Sequence, residues 1–261
     1  MIHLLILDAL NLIRRIHSVQ ERQHPNQPET QLQATSATVK RSVATILQEV
    51  APTHVLAVFD SDVDGWRKAI YPAYKEGRKP MPDHLHQYLN QLQDDLFELG
   101  IDSLVSETDE ADDLIATLIR PLIQAQHQVT LISTDKGFCQ LLAPGLQIRD
   151  YFNKRWLDAA FVQQDFGLRP DQLIDYWALS GMSGTNIKGL AGIGGKTAQQ
   201  LLVEFGSIEA IFAIQETENK KILQIQQEKT EVTLMQQLVR LKDDIPLGFN
   251  LKDIRYMAPN T

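Results

Sequence analysis

The run IHLLILD, residues 2–8, is an apolar stretch that ends on an aspartate, and the pattern returns in THVLAVFD (53–60) and QVTLISTD (128–135). A fourth apolar run, IDSLV, occupies residues 101–105. Long helical patterns separate most of these runs, as in LHQYLNQLQDDLFELG (85–100). Because strand and helix alternate along the chain, the sequence predicts an α/β fold with a parallel sheet that helices cover.

Three of the predicted strands end on an aspartate, namely Asp8, Asp60 and Asp135. One such ending would be explained as a cap of the turn or helix that follows. The carboxyl ends of parallel strands, however, lie along one edge of a sheet, where ligands bind. We therefore expect these three carboxylates to meet in one cleft.

The segment ETDEADD, residues 107–113, places five carboxylates at the start of a predicted helix. Acidic residues stabilise a helix N-terminus, so a capped surface helix is one interpretation. From residue 80 to residue 119, however, the chain carries ten Asp or Glu and no Lys or Arg. Such repulsion is typical of a site where a divalent cation neutralises it. With the strand-end aspartates, Glu110, Asp112 and Asp113 favour a metal site.

The charge of the chain is strongly segregated. Its formal net charge is −8, which argues mildly against a nucleic-acid binder. Residues 66–79, however, carry five Lys or Arg against one Glu, and they directly precede the acidic stretch. The mean charge therefore leaves a nucleic-acid partner open.

Other features of the sequence predict the cellular location of the protein and limit its partners. A single cysteine, Cys139, excludes an internal disulfide and predicts a cytoplasmic location. No apolar run approaches the roughly 20 residues that cross a bilayer, so we expect no membrane partner, and we expect a monomer. The histidines are scattered without metal spacing, and His84 and His86 are interpreted as a solvated pair, which argues against a zinc site.

The segment GLAGIGGKTAQQLL, residues 189–202, carries a glycine-rich turn. Its GGKT is not the phosphate loop of nucleotide triphosphatases, because Leu190 stands where that motif needs glycine. A plain inter-helix turn is one interpretation, but the spacing favours a helix-hairpin-helix whose backbone N–H groups face a DNA phosphate. The predicted DNA-binding residues are Gly192, Ile193, Gly194, Gly195, Lys196 and Thr197.

From about Tyr151 onward the sequence has helical patterns and no convincing strand, which predicts a domain boundary near residues 150–160.

Together these segments resemble the 5′-nuclease family of flap endonucleases, which includes the 5′–3′ exonuclease domain of bacterial DNA polymerase I. The chain is most similar to the short stand-alone bacterial members, the exonuclease IX-like proteins. The resemblance covers nearly the whole chain, and besides the hairpin it is carried by LILDALNLI (5–13), VFD (58–60), YPAYKEGRKPMP (71–82), EADD (110–113), STDKGFCQL (133–141), FGLRPDQLIDYWALSG (166–181) and LKDDIPL (241–247).

The resemblance implies a PIN-like parallel-sheet nuclease core over residues 1–155, with a helical arch and gateway at about 65–92. A C-terminal all-α domain with a helix-hairpin-helix would occupy residues 156–261, its hairpin at 189–198. The implied activity is a Mg²⁺-dependent, structure-specific 5′-flap endonuclease that acts on branched DNA, with Mn²⁺ as a substitute metal. One alternative is a branched-DNA-binding protein with degenerate nuclease activity. A second is a PIN-like ribonuclease, and the hairpin and arch argue against this second alternative.

The resemblance also implies roles for particular residues. Divalent metal would be bound, directly or through water, by Asp8, Asp60, Glu110, Asp112, Asp113 and Asp135. The catalytic residues beside the scissile phosphate would be Tyr74, Lys75 and Arg78. A K⁺ ion that bridges to a DNA phosphate would be held by backbone carbonyls around Leu179, Ser180, Lys188, Leu190 and Ile193.

Three positions depart from the family pattern. Gly137, Met182 and Thr185 stand where the family has acids. All three losses would fall among the ligands of one of two metal positions. We therefore expect one Mg²⁺ bound directly, chiefly by Asp112, and a second that is weak or held through water.

Overall fold

The computed structural model describes residues 1–60 and 64–258. Its strands are β1 His3–Asp8, β2 His54–Phe59, β3 Asp102–Val105, β4 Gln128–Ile132, β5 Leu146–Asp150 and β6 Arg155–Trp156. Its helices are α1 Ala9–Gln23, α2 Pro28–Val50, α3 Trp66–Ile70, α4 Asp83–Gln87, α5 Leu89–Phe97, α6 Ala111–Gln124, α7 Ala159–Phe166, α8 Leu173–Ser180, α9 Gly195–Phe205, α10 Ile208–Phe212, α11 Lys220–Gln227 and α12 Lys229–Val239. Short 3-10 helices lie at Lys136–Leu141, Pro170–Gln172 and Leu251–Ile254.

The strands form one sheet in the order β3-β2-β1-β4-β5-β6. The first five are parallel, and β6 runs antiparallel to β5. This confirms the predicted α/β fold, and the four predicted strands are β1 to β4. The sequence did not predict β5 or β6, and the expected domain boundary between residues 155 and 156 falls inside β6.

Two hydrophobic cores lie on opposite faces of the sheet. Side chains alternate across a strand, so Leu4 and Ile6 of β1 face one core and Leu5 and Leu7 the other. Helices α1 and α2 cover the second core. The first core includes the apolar side of α6 and continues into the C-terminal helices, for example to Trp177. The sheet and the C-terminal helices are therefore joined by continuous packing.

The segment between α3 and α4 is held by a loop of the C-terminal part. The backbone N–H of Lys75 donates to the carbonyl of Thr185 at 2.8 Å, and Asn186 Nδ2 donates to the carbonyl of Ala73 at 2.7 Å. Lys75 has a left-handed backbone with φ of 55°. These two hydrogen bonds fix the backbone from which the side chains of Tyr74 and Lys75 project. No helix among the described residues has both the length and the apolar character needed to span a membrane.

Candidate active site

A cleft of about 670 Å³ opens where β1, β2 and β4 end. Of the nine residues predicted to bind metal or to act in catalysis, the cleft is lined by Asp8, Asp60, Tyr74, Lys75, Arg78, Glu110, Asp112 and Asp135. The strand-end aspartates and the first turn of α6 therefore converge as the parallel topology predicts.

Asp8 ends β1 and caps α1. Its carboxylate accepts hydrogen bonds from Ser133 Oγ at 2.7 Å and from the backbone N–H of Asn11 at 3.4 Å. Burial raises the pKa of Asp8 to about 7; the Ser133 hydrogen bond opposes this rise, and the charge of Asp135 adds to it. Asp8 therefore titrates near neutral pH in the metal-free protein.

Asp112 lies in the first turn of α6. Among the described residues, none donates a hydrogen bond or forms an ion pair to its carboxylate. Burial in the cleft holds the pKa of Asp112 well above its ordinary value, and the charges of Asp135 and Asp8 add to this, against the opposing charge of Lys75. An unpartnered carboxylate among like charges has the chemistry of a divalent-cation ligand.

Glu110 accepts hydrogen bonds from two basic residues of the cleft, Lys75 and Arg67. Lys75 Nζ donates to Glu110 Oε1 and Arg67 Nη1 donates to Glu110 Oε2, both at 2.5 Å. The hydroxyl of Tyr74 donates to the same Oε2 at 3.3 Å. Burial alone would lower the pKa of Lys75, but Tyr74, Glu110 and Asp112 outweigh it and raise the pKa. Lys75 is therefore a permanent positive charge at the cleft.

Asp113 is the one predicted metal residue that the structure does not bring to the cleft. It is fully buried, and Arg67 donates to both of its oxygens, at 2.7 and 2.8 Å. Trp66 Nε1 and the backbone N–H of Lys242 donate to it as well, at 2.8 and 2.9 Å. Adjacent helical residues point about 100° apart, so Asp112 faces the cleft while Asp113 faces the core. These four donors occupy the oxygens that a metal would need.

The three departures from the family pattern line the same cleft. Gly137, Met182 and Thr185 are all lining residues, and none supplies a carboxylate. A Cβ added to Gly137 would lie 3.0 Å from Met182 Cε and 3.0 Å from Asp135 Oδ1. Thr185 Oγ1 donates to the carbonyl of Met182 at 2.7 Å. This side of the cleft therefore presents an apolar side chain and a hydroxyl whose proton is already donated to a backbone carbonyl.

The sequence prediction missed the arginines that complete the site. Arg14 and Arg15 of α1 line the cleft, and Arg14 donates to the carbonyl of Lys79 at 3.2 Å. A signal was present, because Arg15 lies two helical turns after Asp8 and so on the same face. Arg67 had no such signal, since its partners are distant in the chain.

The hairpin leads into α9 through a turn that is open beside Gly194. Gly192 has a left-handed backbone with φ of 73°, and Gly194 caps the start of α9. A Cβ on Gly194 would meet nothing within 4 Å, so this turn faces free space. A second cavity, lined by Lys188 and Gly195, shares Asp135 with the cleft. The hairpin and the acidic cleft are therefore neighbours on one surface.

The predicted K⁺ carbonyls lie where the end of α8 meets this hairpin. Leu190 donates to the carbonyl of Leu179 at 2.9 Å, and Ile193 donates to the carbonyl of Leu190 at 3.0 Å. A Cβ on Gly181, next to Ser180, would lie 2.8 Å from the carbonyl oxygen of Lys188. These contacts bring the five predicted residues together: Leu179, Ser180, Lys188, Leu190 and Ile193. The sequence analysis missed Lys221, whose Nζ donates to the carbonyl of Gly192 at 3.1 Å.

Comparison with known proteins agrees with this geometry. Two family models match, the 5′-3′ exonuclease N-terminal resolvase-like domain over residues 3–167 and the 5′-3′ exonuclease C-terminal SAM fold over residues 168–261. A relative from Tolumonas auensis named Flap endonuclease Xni is 68% identical over 259 residues, which covers 99% of this chain and 100% of the relative.

Solved structures of a bacteriophage T5 enzyme share the fold. T5 5′-exonuclease with bound zinc ions has a TM-score of 0.75 at 20% identity, covering 91% of this chain and 89% of that chain. The T5 D15 flap endonuclease in a complex with DNA and metal ions has a TM-score of 0.70 at 22% identity, covering 91% and 88%. At these identities the likeness is one of fold.

Proposed function

This chain belongs to the 5′–3′ exonuclease family, and we propose that it is a Mg²⁺-dependent 5′-flap endonuclease that cleaves branched DNA with a 5′ single-stranded arm. The observation that carries the proposal is the carboxylate of Asp112, to which no described residue donates a hydrogen bond and which lies in one cleft with Asp8, Asp60 and Asp135. Four acids in a cleft rimmed by arginines fit a divalent metal and a phosphate at the same place.

The chain's carboxylates favour a site for one directly bound metal ion. Burial and mutual repulsion raise the pKa values of Asp8 and Asp112, so a divalent cation at the cleft would relieve an unfavourable charge. We propose Asp112 as the direct ligand, with Asp8, Asp60 and Asp135 reaching the ion through water. Bound Mg²⁺, or Mn²⁺ in its place, would activate a water and offset charge on the phosphate.

A second Mg²⁺ would be weak and dependent on substrate phosphate. Gly137, Met182 and Thr185 offer no charge on their side of the cleft. Mg²⁺ gives up its waters reluctantly, so a wall without carboxylates holds it only as a hydrated ion.

The basic residues of the cleft would act on the phosphate. Lys75 remains protonated beside Glu110, so its charge is available where negative charge develops in the transition state. The Tyr74 ring and the Glu110 carboxylate orient the Lys75 side chain by direct contact. Arg78 is exposed at the rim, where with Arg14 it would hold backbone phosphates of the single-stranded arm.

The hairpin would bind the duplex next to the cleft. The backbone N–H groups of Gly194, Gly195 and Lys196 lie at the start of α9, where the helix dipole favours a phosphate, and the space beside Gly194 is open. A K⁺ ion held by the nearby carbonyls would add a positive charge to the same contact. Such contacts ignore base identity, so recognition would depend on the shape of the junction.

A second candidate function, branched-DNA binding with very slow cleavage, rests on the side of the cleft that Gly137, Met182 and Thr185 line. Met182 fills the space beside Gly137, which weakens the case for two-metal chemistry. The chain would then recognise branched DNA and cleave it very slowly. In either case we propose a monomer that works in the cytoplasm; the single, buried Cys139 supports that location.

A flap-cleavage assay separates the two candidates. A 5′-labelled flap substrate is incubated with the full chain in Mg²⁺ and in EDTA, together with Asp112→Asn and the matched control Asp94→Asn, which changes an exposed acid of α5. We expect Mg²⁺-dependent cleavage that Asp112→Asn reduces at least about 100-fold and Asp94→Asn leaves unchanged. Tight flap binding without cleavage by the wild type would favour the second candidate, and equal cleavage by wild type and Asp112→Asn would remove the first.

A further inference from the structure

A second group of metal-ligating side chains lies outside the acidic cleft. His17 and Glu21, one turn apart on α1, meet His84 of α4, and one ligand atom from each lies within 4.8 Å of the other two. None of the three lines the cleft. His17 is buried, and Glu21 and His84 are partly exposed, so the group lies just below the surface. The sequence interpretation of His84 as part of a solvated pair misses this contact, because His17 is 67 residues away in the chain.

The hydrogen bonds around His17 determine which of its ring nitrogens carries the proton and which has a lone pair. Thr35 Oγ1 donates its one proton to the carbonyl of Gln31 at 2.7 Å, so it can only accept from the ring of His17. His17 Nδ1, 3.0 Å from Thr35 Oγ1, therefore carries the ring proton. In the neutral imidazole this leaves a lone pair on Nε2. Burial lowers the pKa of His17, which favours that neutral form.

The lone pair of His17 Nε2 faces His84, which can donate a hydrogen bond to it in the metal-free protein. The two Nε2 atoms lie 3.1 Å apart, with the rings tilted by 53°. Two nitrogen ligands of a tetrahedral zinc ion, each about 2.0–2.1 Å from the metal, are separated by about 3.3 Å. The observed separation is thus close to the edge of such a tetrahedron. The bond from His17 Nδ1 to a buried hydroxyl is also the kind of outer contact that orients a metal-binding histidine.

We propose that His17, Glu21 and His84 form a binding site for one divalent transition-metal ion of the Zn²⁺ class. Two imidazoles and one carboxylate are a donor set that suits Zn²⁺, and a water would complete four-fold coordination on the exposed side. Because α4 directly follows residues 71–82, which carry Tyr74, Lys75 and Arg78, the ion would fasten the end of that segment to α1. This role is structural and separate from the Mg²⁺ chemistry of the cleft.

The test is a Zn²⁺ titration of the full chain by calorimetry, with excess Mg²⁺ present. Every protein also carries Asp112→Asn, so that the acidic cleft competes less for the added ion. The test variants are His84→Ala and the isosteric Glu21→Gln, both at partly exposed positions, and the control is His127→Ala, in the loop between α6 and β4. A Co²⁺ titration followed by visible absorption reports tetrahedral coordination by nitrogen ligands.

We expect one equivalent of Zn²⁺ to bind the parent protein and His127→Ala alike. Loss of a ligand in His84→Ala or Glu21→Gln should weaken binding at least about tenfold, the scale of losses on disturbing a metal site. Bound Zn²⁺ should also raise the Tm of the parent and not that of His84→Ala. Equal Zn²⁺ affinity in the parent and both test variants would overturn the proposal. So would an absence of Zn²⁺ binding, which would leave a plain hydrogen bond between the two histidines.

Discussion

Arg67 donates from both terminal nitrogens to Asp113, at 2.7 and 2.8 Å, in a pair that is only 3% and 0% exposed. The next residue back along the chain, Asp112, has no such partner among the described residues and lines the cleft. Two chemically identical neighbours therefore have different tasks. Asp113 anchors α6 to the helix that carries Arg67, and Asp112 faces the cleft, where we propose that it binds the metal.

The first prediction concerns the different roles of Asp112 and Asp113. Asp113→Asn should lower the free energy of unfolding by about 3 kcal/mol, because it weakens a buried pair and removes the charge opposite Arg67. Mg²⁺ affinity measured without DNA should change little, whereas Asp112→Asn should abolish most of it. Chemical denaturation and a Mg²⁺ titration measure the two effects. An equal loss of Mg²⁺ affinity in both variants would show that Asp113 reaches the ion.

The second prediction concerns Lys75. Lys75→Ala should slow flap cleavage on the order of 100-fold while weakening DNA binding only a few-fold, because its charge matters most where the transition state is more negative than the substrate. Single-turnover cleavage and equilibrium binding separate the two quantities. The control is Lys68→Ala, which removes an exposed lysine of α3. A loss in binding as large as the loss in cleavage would mean that Lys75 only holds the substrate.

The third prediction concerns pH in metal-free buffer. Asp8, with a pKa of about 7, and Asp112, with a pKa well above its ordinary value, bind more protons in the folded than in the unfolded state. Their contribution to stability is therefore unfavourable above about pH 7 and fades as pH falls toward 4. Asp112→Asn should raise Tm in EDTA at pH 8, with a gain that shrinks by pH 5. Thermal melts at both pH values test this, and a gain that is larger at pH 5 would contradict it.

The fourth prediction concerns the hairpin. Gly194 has φ of −88°, and the space that a side chain would occupy there is open, so Gly194→Leu should fold normally. The added side chain would stand where a DNA phosphate approaches the start of α9. We expect about tenfold weaker binding of all duplex-containing substrates, with no change in sequence preference, since phosphate contacts carry no sequence information. Full affinity in a normally folded variant would place the duplex elsewhere.

The fifth prediction concerns K⁺. If the carbonyls around Leu190 bind K⁺ against a DNA phosphate, duplex-containing substrates should bind more tightly in KCl than in the chloride of a large organic cation. Ionic strength is matched, because added salt by itself weakens phosphate contacts. Equal affinity in the two salts would remove the K⁺ ion and leave the hairpin contact itself intact.

Local patterns in the sequence predicted much of the fold and most of the cleft. Each of β1, β2 and β4 is a short apolar run, and the parallel arrangement brings the aspartates at their ends together without further information. β5 was missed because LQIRD contains three polar and only two apolar residues, so it lacks the continuous apolar run of the predicted strands. Its place in the sheet comes from pairing with β4, which the local sequence does not record.

What the sequence by itself determined is a set of residue types in order: carboxylates after strands, glycines at a hairpin, a basic strip before an acidic stretch. Only the tertiary structure decided how those residues are used. The orientation of α6 turns Asp112 to the cleft and Asp113 to Arg67, and the packing of α4 on α1 brings His84 to His17. The physical reason is that a side chain's pKa and partners depend on burial and on contacts tens of residues away, and neither is contained in local spacing.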